Sequence, residues 1–101
     1  MFLFCSAFRP KPKKNDLKHI KGLERKVIRL ERQGRYAETI VLAKKVLAVR
    51  EKFLGPDYPD VAESLDILGR NYQAMGDLVQ AESLFSKSLA VRKKALAAGH
   101  T

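Results

Sequence analysis

Apolar residues along this chain recur at intervals of three and four, the spacing that gathers them on one face of an α-helix. Between Val61 and Met75, the series Val61, Leu65, Leu68 and Tyr72 follows that rule. From about Leu78 to Ala97 a broader stripe is made of Ala81, Leu84, Phe85, Leu89 and Leu96. Upstream, Leu17, Ile20, Leu23, Val27 and Leu30 share a face across Leu17–Gln33, and a further helix is predicted over Tyr36–Phe53. The punctuation agrees. Asp16 and Asp77 stand where an N-cap is needed, and Gly34 and Gly76 where a helix closes in left-handed backbone. Between the halves, Gly55-Pro56-Asp57-Tyr58-Pro59-Asp60 stops one helix and starts another. Pro59 falls in a first turn, where its missing N–H costs nothing, and Asp60 and Glu63 oppose the positive end of the helix dipole. The pattern predicts four helices and an all-α fold.

The four helices form two copies of one unit. Gly34–Leu54 aligned with Gly76–Leu96, an offset of 42, has nine identities in 21 positions, and Leu-Ala-Val-Arg recurs whole at 47–50 and 89–92. Ordinary composition gives roughly one or two such matches. Each unit is a helical hairpin, one spanning about residues 17–55 and the other about 59–98, and residues 1–16 form a basic, flexible tail outside them.

These residues resemble the tetratricopeptide repeat. Leu65, Leu68-Gly69, Tyr72, Ala81, Phe85 and Ser88 stand at its spacings, and LAVREKFLGPDYPDVAESL across Leu47–Leu65 looks like the 42-residue variety found in kinesin light chains. The likeness covers about Leu17 to Leu96 and is strong from Gly34 onward. The first helix departs from it, with Lys26 at the Leu position and Val27 at the Gly position, as a degenerate capping unit would. The resemblance implies an α-solenoid of antiparallel hairpins in which Gly69, Ala81 and Ser88 allow close approach while Tyr72 and Phe85 fill the gaps. It further implies a concave groove lined by the first helix of each pair, with Lys21, Glu24, Ile28 and Glu31 from one unit and Glu63, Asp66, Arg70 and Gln73 from the next. The Lys and Asn with which chaperone-binding members clamp a C-terminal carboxylate are missing: Glu24, Ile28, Asp66 and Arg70 occupy those places. The function implied is a protein-interaction scaffold that takes a peptide or partner helix. Two units leave an open apolar edge, so self-association, a partner on that edge, or marginal stability is expected.

Charge refines the choice of partner. The net charge of +9 is confined to one half: residues 1–52 hold 15 Lys and Arg against 5 Asp and Glu, residues 53–101 hold 5 against 6. Lys18, Lys21, Arg25, Arg29 and Arg32 form a positive stripe along the first helix. It is read either as a docking site for acidic protein or phosphate, or as a solvated face partly neutralised by Glu24 and Glu31. An electrostatic adaptor for nucleic acid or an anionic membrane is therefore the alternative function. Nucleic-acid binding is disfavoured, because base stacking needs aromatics among the charges. Those nearest are Phe2, Phe4 and Phe8 in the tail and Tyr36, which is assigned to the core. Lys11-Pro12-Lys13-Lys14 has the composition of a short nuclear-import motif, a pattern common in tails.

The remaining chemistry is sparse. The apolar run Met1–Phe8 is too short to span a bilayer, and its basic residues follow it instead of preceding it, unlike a secretory signal. Acylation of Cys5 is the functional reading of that run, and a loosely docked tail the plain one. One cysteine allows no intrachain disulfide, and with only His19 and His100 it makes no metal cage, so a reducing, cytoplasmic setting and no cofactor are expected. No phosphate loop, nucleophile elbow or paired His/Glu is present, and no enzyme activity is expected.

Overall fold

The computed structural model describes residues 10–99; the apolar run with Cys5 and the terminal His100 lie outside the described residues. Four helices follow in order: α1 (Lys14–Arg32), α2 (Tyr36–Leu54), α3 (Pro59–Ala74) and α4 (Leu78–Ala97). Each packs on its neighbours in sequence, so two helical hairpins stack in series as an all-α repeat.

The repeat extends to backbone detail. Both hairpin turns are Schellman closures, built 42 residues apart around a glycine with positive φ, 74° at Gly34 and 86° at Gly76. In the first, the N–H groups of Gly34 and Arg35 donate to the carbonyls of Glu31 and Leu30; in the second, those of Gly76 and Asp77 donate to Gln73 and Tyr72. Asp77 caps α4 through an N–H···O bond from Gln80. Asp16 has a different role from the one expected. The N-cap of α1 is Lys13, and the Asp16 carboxylate reaches back from the third helical position to accept from its backbone N–H at 2.9 Å. The helix therefore starts at Lys14.

The core lies mainly between the units, where Ile40, Ala43 and Leu68 are buried with Leu47, Ile67, Tyr72 and Leu84 packed around them. In the second hairpin α3 and α4 approach closely because Gly69 has no side chain: a Cβ there would sit 2.7 Å from the Phe85 ring. The first hairpin uses the opposite choice of sizes. The counterparts of Gly69 and Phe85 are Val27 and Ala43, both buried, so the substitution that breaks the repeat pattern in α1 is matched by a smaller residue in α2. Buried hydroxyls are satisfied, Thr39 donating to the Arg35 carbonyl and Ser88 to that of Ala62.

Three apolar assignments need correction. Leu17 is 47% exposed, because only the second half of α1 has buried positions, at Val27 and Leu30. In α4 the buried positions are Ala81, Ser88 and Ala95, at intervals of seven, whereas Leu89 and Leu96 are exposed. These small residues face the rest of the protein, and the leucines beside them are left on the outer flank. Tyr36 is likewise partly exposed at the start of α2.

Candidate partner-binding groove

α1 and α3 stand side by side over α2 and enclose a cleft of about 310 Å³. Its floor includes Ala43 and Val46 from α2; its walls carry Glu24, Ile28 and Glu31 from α1, and Glu63, Ile67 and Arg70 from α3. Two polar links set the distance between the walls. At one end Arg50, rising from α2 with only 10% of its side chain exposed, bridges both: Nη2 meets Glu24 Oε2 at 2.5 Å, and Nη1 meets Glu63 Oε1 at 2.9 Å. The same Nη1 donates to Ser64 Oγ and to the Asp60 carbonyl, so most guanidinium donors are used. At the other end Arg70 donates through Nε and Nη2 to the two Glu31 oxygens at 3.2 Å, and Asn71 Nδ2 donates to Glu31 as well. The buried Oδ1 of Asn71 has no hydrogen-bond partner among the described residues.

Of the residues expected on the groove, the structure brings together Glu24, Ile28, Glu31, Glu63 and Arg70. Lys21, Asp66 and Gln73 lie off it. Lys21 is exposed beyond the α1 rim. Asp66 pairs with Arg92 of α4 at 2.7 Å, and Gln73 borders a separate, shallower depression with Leu78, Val79 and Phe85. The reason is geometric. α3 has two flanks, one toward α1 and one toward α4, and only the first faces the cleft. Arg50, which organises the groove, was not among the expected site residues. Its signal was present in the sequence as an arginine kept in both copies of Leu-Ala-Val-Arg.

The cleft is not basic. Three glutamates meet two arginines, and Ile28, 49% exposed, supplies an apolar contact between them. The positive stripe of Lys18, Lys21, Arg25, Arg29 and Arg32 lies instead on the outer surface of α1, with all five side chains exposed. The partial neutralisation by Glu24 and Glu31 considered for this face does not occur, since both carboxylates turn into the cleft toward Arg50 and Arg70. None of the five forms an ion pair with a described residue.

Among the described residues, no helix is long and apolar enough to cross a membrane. None of the curated proteins compared with the chain matches it. A family model for the tetratricopeptide repeat matches residues 28–94, starting where the sizes in α1 and α2 have been exchanged and running through both glycine closures. With its serial hairpins, 42-residue period and groove between first helices, the chain belongs to the tetratricopeptide repeat family, whose repeats generally mediate protein–protein interaction.

Proposed function

We propose that this protein is a scaffold that holds an extended or helical segment of a partner protein in the cleft between α1 and α3. The observation that carries this reading is the exposed Ile28, set in a cleft whose walls are held apart by Arg50 and by the Glu31–Arg70 pair. A braced groove loses little ordering entropy on binding, so a small surface can still give useful affinity. The segment that fits offers an apolar side chain to Ile28 and Ile67, a cation to the exposed Glu63 and an acceptor to the half-exposed Arg70. A partner rich in acid alone does not fit this cleft; the acidic preference belongs to the outer face of α1. The stretch LAVREKFLGPDYPDVAESL supports placement in the kinesin-light-chain variety of the repeat, and the single cysteine supports a cytoplasmic setting.

The test is selection from a phage-displayed random peptide library on the full chain, followed by fluorescence anisotropy of a selected peptide. Ile28→Asp and Arg70→Ala are expected to lower affinity tenfold or more with helix content unchanged, while Lys18→Glu and Arg29→Glu leave it within about twofold. Loss through the outer-face variants, with Ile28→Asp indifferent, would overturn the groove reading.

A second reading has one specific observation behind it, the outer stripe of α1 left without ion pairs. That face would serve as an electrostatic adaptor for nucleic acid or an anionic membrane. Counterion release then requires binding of a generic DNA duplex, or of phosphatidylserine vesicles, to fall steeply with salt. Groove binding of a peptide should change little over the same range.

A further inference from the structure

The outer flank of α4 has no part in the groove and carries an unusual concentration of apolar surface. Leu78 is 62% exposed, Leu89 55% and Leu96 60%, with Val79 beside them at 80%. Together with the partly exposed Phe85, the three leucines lie along one line at intervals of seven, four and seven residues. That series reads the same in both directions. The flanking charges nearly share its symmetry: Glu82 and Lys93 lie on one side of the line, five and six residues from its midpoint at position 87, and are opposite in sign. Neither is in an ion pair with a described residue.

We propose that two copies of this chain pair through α4, antiparallel, about a two-fold axis near Lys87. The axis sets Leu78 against the partner's Leu96 and Phe85 against the partner's Leu89. It also brings Glu82 to the partner's Lys93, twice by symmetry. The apolar line supplies the driving force, and the charges fix direction and register, as flanking charges do between paired helices. Parallel pairing would put these flanks on opposite sides of the seam in the two copies, so neither Glu82–Lys93 attraction would form, and the charge pattern favours the antiparallel arrangement.

The competing arrangement is head-to-tail growth, with α1 of one copy seated on α4 of another as α3 is seated on α2. Arg50 and its repeat counterpart Arg92 argue against it. Within its own hairpin each arginine binds the matching acid, Glu24 or Asp66. Arg50 also binds the next helix, through Glu63, Ser64 and the Asp60 carbonyl. The free donor of Arg92 turns back to Ser88 on its own helix, and its side chain is 49% exposed. Forty-two residues before Asp60, Glu63 and Ser64 stand Lys18, Lys21 and Gly22. A second copy's α1 in the stacking position would therefore set Lys21 where Arg50 meets Glu63, and leave Gly22 in place of the Ser64 hydroxyl. Like charges oppose the open filament, whereas the two-fold pair closes on itself. One helix from each copy gives an interface below the standard size, so the dimer is micromolar in strength. Both grooves stay open in it, which makes the assembly bivalent for a repeated or dimeric partner.

The test is sedimentation equilibrium of the full chain under reducing conditions, from a few micromolar to several hundred micromolar, with Cys5 kept as a thiol. A monomer–dimer equilibrium is expected, with Leu89→Glu monomeric throughout and its helix content unchanged. Glu82→Lys alone and Lys93→Glu alone should each weaken dimerisation about tenfold at low salt, since two attractions become two repulsions. The double variant Glu82→Lys/Lys93→Glu should recover the wild-type constant. A chain that stays monomeric at every concentration overturns the proposal, as does growth beyond the dimer. A dimer indifferent to Leu89→Glu overturns it too, as does a double variant no tighter than either single one.

Discussion

Gly69→Ala and Gly22→Ala make the same chemical change in two helix interiors, and the structure predicts opposite signs. Alanine stabilises a helix over glycine by about 1 kcal/mol through backbone entropy. At Gly22 an added Cβ meets nothing within 4 Å, so that gain is realised in full. At Gly69 the same Cβ lands 2.7, 2.9 and 3.0 Å from the Phe85 Cε1, Cζ and Cδ1 atoms. The ring must retreat by more than half an ångström, and overpacking of this kind costs about 1–3 kcal/mol. Gly69→Ala is therefore expected to destabilise by up to about 2 kcal/mol, and the two variants to differ by about 1–3 kcal/mol. Urea unfolding followed by far-ultraviolet circular dichroism, with every variant at the same protein concentration, measures both from shifts in midpoint at constant slope. The first hairpin supplies a sharper version, because it holds Val27 and Ala43 in the two places. Gly69→Val and Phe85→Ala should each be costly alone, and together cost at least about 1 kcal/mol less than their sum. A Gly69→Ala midpoint raised as far as that of Gly22→Ala, or strictly additive Gly69→Val and Phe85→Ala, would refute size matching as the determinant of the α3–α4 distance.

Two further predictions concern the joints of the repeat. Arg50→Ala should cost about 2 kcal/mol in urea unfolding, because it leaves Glu24 and Ser64 without their donor, and Arg50→Lys should recover less than half of that, since an ammonium cannot span both walls. Arg92→Ala, at a half-exposed position, should cost less than about 1 kcal/mol, and equal losses at the two arginines would contradict the role given to Arg50. Gly34→Ala and Gly76→Ala, which force a Cβ into left-handed backbone, should each lower stability by about 1–2 kcal/mol, and a neutral result in thermal unfolding would contradict the Schellman geometry.

The hairpins were legible in the sequence because periodicity, glycine closures and an internal repeat agree with one another. The span of α4, Leu78–Ala97, and the cap at Asp77 follow directly from those signals. What was not legible depends on direction. A stripe of apolar residues shows that a helix has a buried side, but not which edge of a broad stripe meets the neighbour. In α4 that edge is Ala81, Ser88 and Ala95, so Leu89 and Leu96 fall outside. Asp66 and Gln73 were carried to the groove by the repeat family's pattern positions, which do not say which flank of α3 each side chain takes; Asp66 pairs with α4 and Gln73 borders the depression beside it. The start of α1 was misplaced because an aspartate at the third helical position gives the same local signal as one at the cap, and Lys13 gives none.

The placement of the two polar links has a consequence for the groove. Glu24 and Glu31 are seven residues apart on α1, about 10 Å along the helix, and each is tied to the opposite wall by an arginine. The α2–α3 contact beneath them combines apolar packing of Ile40, Ala43 and Leu68 with the Arg50–Glu63 pair, whereas the span from α1 to α3 is held by charge at both ends. The two ends are screened unequally. Arg50 is nearly buried and keeps its pairs in salt, while Arg70 is half exposed and yields sooner. The Glu31–Arg70 link is therefore expected to loosen before the Arg50 pairs as ionic strength rises. On the proposed reading, a partner that carries its own cation competes with Arg70 for Glu31.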